Sequence, residues 1–230
     1  MCIRDRAYSL SDDGLAVNLY GSNTLRTQLL DGSEIHLEQS SQYPWHGDVT
    51  ITLQKCKDTP FEVRLRIPEW ADRTAVKLNG KNAGIAVEPG TYATIKRRWR
   101  AGDVIQLEMP MDIRLIEGDP RIEEVRNQVT IKRGPVVYCV ESPDLPENTD
   151  ILSVYLPQRP EFVAQYRPEF LGGMTTISGN TLLRSDTHQG TYRTLTKPVW
   201  ESQRTTFVPY YAWCNRGQGE MTVWMPIVWD

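Results

Sequence analysis

Residues 49–67 read VTITLQKCKDTPFEVRLRI, and the two halves of this stretch decide the fold. Val49, Ile51 and Leu53 alternate with Thr50 and Thr52, while Phe61, Val63, Leu65 and Ile67 alternate with Glu62, Arg64 and Arg66. Successive side chains of a strand point to opposite faces, so each run carries one apolar face and one wet face. Both are expected to be antiparallel strands.

The same signal recurs outward in both directions. From Leu15 to the end, short β-branched and aromatic runs are separated by Gly, Pro, Asn and Asp, at spacings near ten residues. Val76-Lys77-Leu78 followed by Asn79-Gly80 predicts a hairpin, because a type I′ turn needs positive φ at both central positions. A second hairpin is expected from the alternating run Thr91–Trp99 through Ala101-Gly102-Asp103 into Val104–Met109. Residues 142–160 carry Pro143, Pro146, Pro157 and Pro160 and read as a connector or edge, since proline removes a ladder donor. Beyond it, Gly172-Gly173 and Gly179-Asn180 are read as turns of a smaller unit, with strands resuming at Thr205–Val208 and Met221–Trp224. No dozen-residue window carries helical periodicity between credible caps. The expectation is therefore an all-β chain of two antiparallel β-sandwich, jelly-roll-like domains.

Composition narrows the function classes. The 230 residues are 40% hydrophobic and 24% charged, suited to packed cores rather than disorder. A net charge of -3 argues against nucleic acid, which usually leaves a basic excess on one face. The basic run Lys96-Arg97-Arg98-Trp99-Arg100 reads as a solvated strand end. No stretch approaches the roughly 18 consecutive apolar residues of a membrane-spanning helix.

Searching for chemistry returns little. His36, His46 and His188 fall in separate segments, and Cys2, Cys56, Cys139 and Cys214 lack metal-ligand spacing, so no catalytic or metal residue is expected. Glycosidases need two carboxyl groups across a scissile bond, whereas Asp12-Asp13 and Glu123-Glu124 are neighbours that a strand would point to opposite faces. Aromatic rings can stack on the apolar faces of sugars, which singles out Tyr43, Trp45, Tyr210, Tyr211 and Trp213 as carbohydrate-binding or interface residues. Packing in a core is the competing reading for each.

Seven segments, LAVNLYGSNTL (15–25), QYPWHGDVTITL (42–53), FEVRLRIPEWA (61–71), VKLNG (76–80), RRWRAGDVIQLEMPM (97–111), VTIKRGPVVYCVE (129–141) and FVPYYAWCNRGQGEMTVWMP (207–226), occur in an order that resembles the C-terminal β-sandwich region of glycoside hydrolase family 127, the β-L-arabinofuranosidases. The resemblance implies a first sandwich over 7–112, a second over 113–218, and a terminal strand, 219–230, returning to the first. It implies a helical catalytic barrel elsewhere in the polypeptide, with zinc and a cysteine nucleophile in a Cys-Cys motif that this chain does not contain. On that reading the parent is a hydrolase of β-L-arabinofuranosides in plant-type glycans. This chain is then an inactive accessory portion whose partners are the barrel, carbohydrate and, in a homodimer, a second copy. An autonomous carbohydrate-binding module using the Tyr/Trp clusters is the rival. The opening MCIRDR fits none of these motifs and reads as a non-native leader over residues 1–6, derived from adapter sequence.

Overall fold

A computed structural model describes residues 7–185 and 191–229. The expected leader, Cys2 and His188 lie outside them. The regular secondary structure of the described residues is almost entirely β, and the chain divides into two compact units, one within 1–111 and one within 112–230.

The first unit holds ten strands: β1 (Tyr8–Ser11), β2 (Gly14–Val17), β3 (Asn23–Gln28), β4 (Glu34–Ser41), β5 (Asp48–Lys55), β6 (Pro60–Arg66), β7 (Ala75–Leu78), β8 (Lys81–Asn82), β9 (Tyr92–Arg98) and β10 (Val104–Glu108). They form a four-stranded sheet, β1-β2-β6-β9, and a six-stranded sheet, β3-β4-β5-β10-β7-β8. The alternation in 49–67 appears as expected: Val49, Ile51, Leu53, Phe61, Val63 and Leu65 are buried, their neighbours half-buried or exposed. These residues, from strands of both sheets, join one apolar cluster with Leu15, Val17, Ile35, Leu37, Ile95, Trp99, Ile105 and Leu107. Trp99 is fully buried, stacks at a tilt on Phe61 with centroids 6.0 Å apart, and donates its indole N–H to the Phe61 carbonyl at 3.0 Å.

Asn79 (φ 50°) and Gly80 (φ 77°) make the two-residue turn joining Leu78 to its partner Lys81. The second expected hairpin is absent. β9 pairs β6, whereas β10 pairs β5 and β7, so the turn at 101–103 carries the chain from one sheet to the other. Alternation alone cannot tell these outcomes apart, because both strands need one buried face either way. A second departure is that β2 runs parallel to β6, making the smaller sheet mixed. Gly14 permits this entry: a Cβ there would lie 2.1 Å from the Glu62 carbonyl oxygen. Gly47 is similarly required, with a built Cβ 1.8 Å from the Met109 oxygen.

The second unit comprises β11 (Ile113–Glu117), β12 (Gln128–Arg133), β13 (Val136–Glu141), β14 (Val154–Pro157), β15 (Val163–Arg167), β16 (Met174–Arg184), β17 (Trp200–Pro209), β18 (Met221–Thr222) and β19 (Met225–Val228). Strands β12-β19-β14-β16-β17-β13 pair in that order, and β12 also pairs β13, so six strands close into a ring. Closure removes the unpaired edges that an open sandwich must protect. The β14–β19 pair is parallel. An antiparallel second sandwich is thus replaced by a closed, mixed barrel. The terminal strand β19 bonds to β12 and β14, both within this unit.

Two further expectations change. The proline-bearing segment 142–160 supplies β14, a full member of the ring, because its prolines fall in the flanking turns or at the strand end. Gly172-Gly173 does turn the chain between β15 and β16, but Gly179-Asn180 sits inside the eleven-residue β16. A side chain at Gly179 would meet Phe162 Cδ1 at 2.4 Å, so this glycine admits a neighbouring ring rather than a turn.

Candidate functional site

The five aromatic residues singled out by sequence fall into two groups, one in each unit. In the first unit, Tyr43 and Trp45 belong to the turn between β4 and β5. The Tyr43–Pro44 peptide is cis, the Tyr43 N–H donates to Ser41 Oγ at 3.0 Å, and the Trp45 N–H donates to the Gln42 carbonyl at 2.9 Å. Tyr43 is half-buried between two rings: Tyr20 meets it edge-on at 6.2 Å and Trp70 lies across it at 6.5 Å with 27° between planes. Tyr20 in turn donates its hydroxyl to the Arg66 carbonyl at 2.5 Å. Burial pushes the phenols of Tyr20 and Tyr43 above the ordinary tyrosine value. Tyr43 therefore packs as part of the core margin, together with Trp70 of the Arg-Ile-Pro-x-Trp strand end.

The second group is exposed. β17 ends at Pro209, and Tyr210–Ala212 form one turn of 3-10 helix in which Ala212 is buried and anchors the turn. Around it Tyr210, Tyr211 and Trp213 are 44%, 63% and 38% exposed, enough to offer ring faces to a ligand. Sequence reasoning missed what holds this turn. Arg216 donates from Nε to Glu141 Oε2 at 3.1 Å and from Nη1 to Asp144 Oδ1 at 2.9 Å, and its Nη2 contacts both carboxylates. Glu141 Oε1 also accepts the Cys214 N–H at 2.8 Å, and Asn215 Nδ2 donates to the Ala212 carbonyl at 3.0 Å. The Arg216 guanidinium lies 5.3 Å from the Phe170 ring centroid. Asp144 foremost, with Glu141, raises the Arg216 pKa against the opposing effect of burial. A planar guanidinium can satisfy two carboxylates at fixed geometry, which a lysine cannot do. The available signal was Glu141 closing the apolar run VVYCV, where a carboxylate facing inward requires a cation.

The other ionisable residues weighed from the sequence sit in separate segments. Asp12 and Asp13 lie exposed in the β1–β2 turn, and Glu123 and Glu124 lie exposed in a 3-10 turn at 123–125 rather than on a strand. Cys139 is fully buried, and burial first, then Glu141 and Asp144, push its thiol up to about 12. Burial also raises Cys56. Among the described residues no three His, Cys, Asp or Glu side chains group as metal ligands.

Comparison with known proteins follows this division. Residues 14–111 match the family model described as β-L-arabinofuranosidase, GH127 middle domain, and 113–226 match that of the glycoside hydrolase family 127 C-terminal domain. A non-reducing end β-L-arabinofuranosidase of Bifidobacterium longum subsp. longum is 29% identical over 204 residues, covering 83% of this chain and 30% of that protein. Among solved structures, a glycoside hydrolase superposes with a TM-score of 0.91 at 38% identity, covering 97% of this chain and 37% of its own. A GH127 β-L-arabinofuranosidase from Geobacillus stearothermophilus T6 gives 0.88 at 32% identity, covering 97% and 35%. The chain thus spans about a third of the length of the relatives it matches.

Proposed function

Because the chain belongs to glycoside hydrolase family 127 and matches its middle and C-terminal domains, we propose that it is the accessory β portion of a hydrolase acting on β-L-arabinofuranosides of plant-type glycans. Its role is to support the helical catalytic barrel of the same polypeptide and to provide a surface for homodimerisation. The carrying observation is the run of two consecutive domain matches from residue 14 to 226 within relatives about three times as long. Zinc chemistry belongs, on this reading, to the barrel. Assaying the isolated chain on an aryl β-L-arabinofuranoside is the direct test: the expected result is no turnover, and zinc-dependent hydrolysis would overturn the proposal. Light scattering of the same preparation reads the dimer.

A second reading, an autonomous carbohydrate-binding module, is favoured by one observation. Tyr210, Tyr211 and Trp213 stand exposed together on a turn held by the Arg216 ion pairs. Rings fixed in place lose little entropy on stacking against a sugar. Retardation in an affinity gel containing arabinan, abolished by Trp213→Ala with the fold retained, supports this reading; unchanged mobility of both proteins eliminates it.

A further inference from the structure

The Asn79-Gly80 turn carries a chemical liability as well as a conformation. An asparagine followed by glycine is among the sequences most prone to deamidation, because the next backbone nitrogen lies one ring closure from the side-chain amide and glycine puts no Cβ in its way. Asn79-Gly80 is the one such pair in the sequence, and both residues are exposed at the tip of the β7–β8 hairpin. Exposure alone would mark the pair for modification.

The fold nevertheless holds the amide at both ends. Asn79 Nδ2 donates to Asp103 Oδ1 at 2.8 Å, and Asn79 Oδ1 accepts the Val104 N–H at 2.8 Å. The Asn79 backbone N–H donates to the Val104 carbonyl, also at 2.8 Å, so these three bonds fasten one residue to the start of β10. The amide cannot be turned over, since that would set its NH2 against an N–H and its oxygen against a carboxylate. Asp103 is itself fixed: it is only 7% exposed, its Oδ2 accepts the Arg100 N–H at 2.9 Å, and Arg97 Nη2 lies 3.8 Å away. Asn79 at φ 50° and Gly80 at φ 77° keep the main chain in the two-residue turn. Ring closure needs rotation about both the Cα–C and the Cα–Cβ bonds of Asn79, which this set of contacts opposes.

We propose that Asn79 is a latent deamidation site, which Asp103 and Val104 keep shut in the folded protein. The reaction is intramolecular. The Gly80 nitrogen attacks Asn79 Cγ, the Cγ–Nδ2 bond breaks, and Nδ2 leaves as ammonia with the proton that Gly80 gives up. Water then opens the resulting succinimide to aspartate or isoaspartate. Asn79 must release Asp103 and Val104 before the attack, and the product cannot take both back: a carboxylate would face the Asp103 carboxylate where an amide donor stood, and like charges in contact repel. Isoaspartate also adds a methylene to the main chain of a two-residue turn, which breaks the Leu78–Lys81 register. Modification is therefore one-way and undoes the docking of this hairpin on β10.

The test incubates the full chain at mildly alkaline pH and follows conversion of Asn79 by peptide mass spectrometry, beside a synthetic peptide spanning 75–84. The folded chain should convert at least about tenfold more slowly than the peptide, and Asp103→Ala at least about tenfold faster than the parent chain, the scale of one lost hydrogen bond to a charged acceptor. Circular dichroism reads whether each variant is folded. Asp103→Asn keeps a side-chain oxygen for Asn79 Nδ2, should stay closer to the parent than to the peptide, and decides the case if Asp103→Ala does not fold. The proposal falls if the parent converts as fast as the peptide, if folded Asp103→Ala converts at the parent's rate, or if folded Asp103→Asn converts as fast as the peptide.

Discussion

Arg216 holds the carboxylate of Glu141, 75 residues earlier in the chain, through Nε at 3.1 Å and through Nη2, with Glu141 only 4% exposed. The pair ties the loop after β17 to the end of β13, and it does so directly beside the exposed aromatic turn. A carboxylate this deeply buried is tolerable only while its cation is present.

Replacing Arg216 by Met should therefore destabilise the protein by about 3 kcal/mol, since it leaves Glu141 and Asp144 without a cation. Chemical denaturation reads the loss. Arg216→Lys should recover only part of it, because a single ammonium cannot reproduce the bidentate geometry. Stability of Arg216→Met equal to the parent would show that water reaches Glu141 and that the pairing is incidental.

Trp99 fills the first unit's core and donates to the Phe61 carbonyl. Trp99→Ala is expected to cost about 3–5 kcal/mol through the cavity it leaves. Trp99→Phe should cost less, about 1 kcal/mol for the lost indole hydrogen bond to the Phe61 carbonyl. Equal stability of the Phe variant and the parent, by urea midpoint at constant slope, would refute the hydrogen bond's contribution.

Asp103 sits in the turn that carries the chain between the two sheets of the first unit. Burial tends to raise its pKa, but the Asn79 amide, the Arg100 N–H and the charges of Arg97 and Arg100 outweigh it, and the net shift is downward. A depressed carboxyl stabilises the fold above its ordinary value of 3.8, and that stability is lost as pH falls below 3.8 through the folded value. Asp103→Asn should flatten the loss of stability over that acid range. A variant with the parent's full acid dependence would show that other carboxylates carry it.

The Cys139 thiol, raised to about 12 and donating towards the Val208 carbonyl at 3.7 Å, should resist alkylation at pH 8 in the folded protein. Exposed Cys214 should be modified first. Peptide mass spectrometry after a short iodoacetamide pulse distinguishes them, and comparable labelling of Cys139 under native conditions would contradict the burial described for β13.

Much of the fold was legible. The strands around Val49–Ile67, the Asn79-Gly80 turn and the Gly172-Gly173 turn each follow from a local rule, either alternation or positive φ. Of the aromatic candidates, Tyr210, Tyr211 and Trp213 stand exposed, whereas Tyr43 packs against Tyr20 and Trp70. Nothing local separates them, because an aromatic residue beside a proline suits either a core margin or a surface turn.

By itself the sequence determined that the chain is all-β, where most strands run and which faces they bury, since these depend on the two-residue period of a strand. Tertiary structure alone decided which strands distant in the sequence pair. It made β9 and β10 members of different sheets, laid β2 parallel to β6 and β14 parallel to β19, and closed β12 onto β13. It also brought Arg216 to Glu141 and Asp103 to Asn79. The reason is physical: alternation records that a face is buried but not what buries it, and partners many residues apart are chosen by how the whole set of faces can be covered at once.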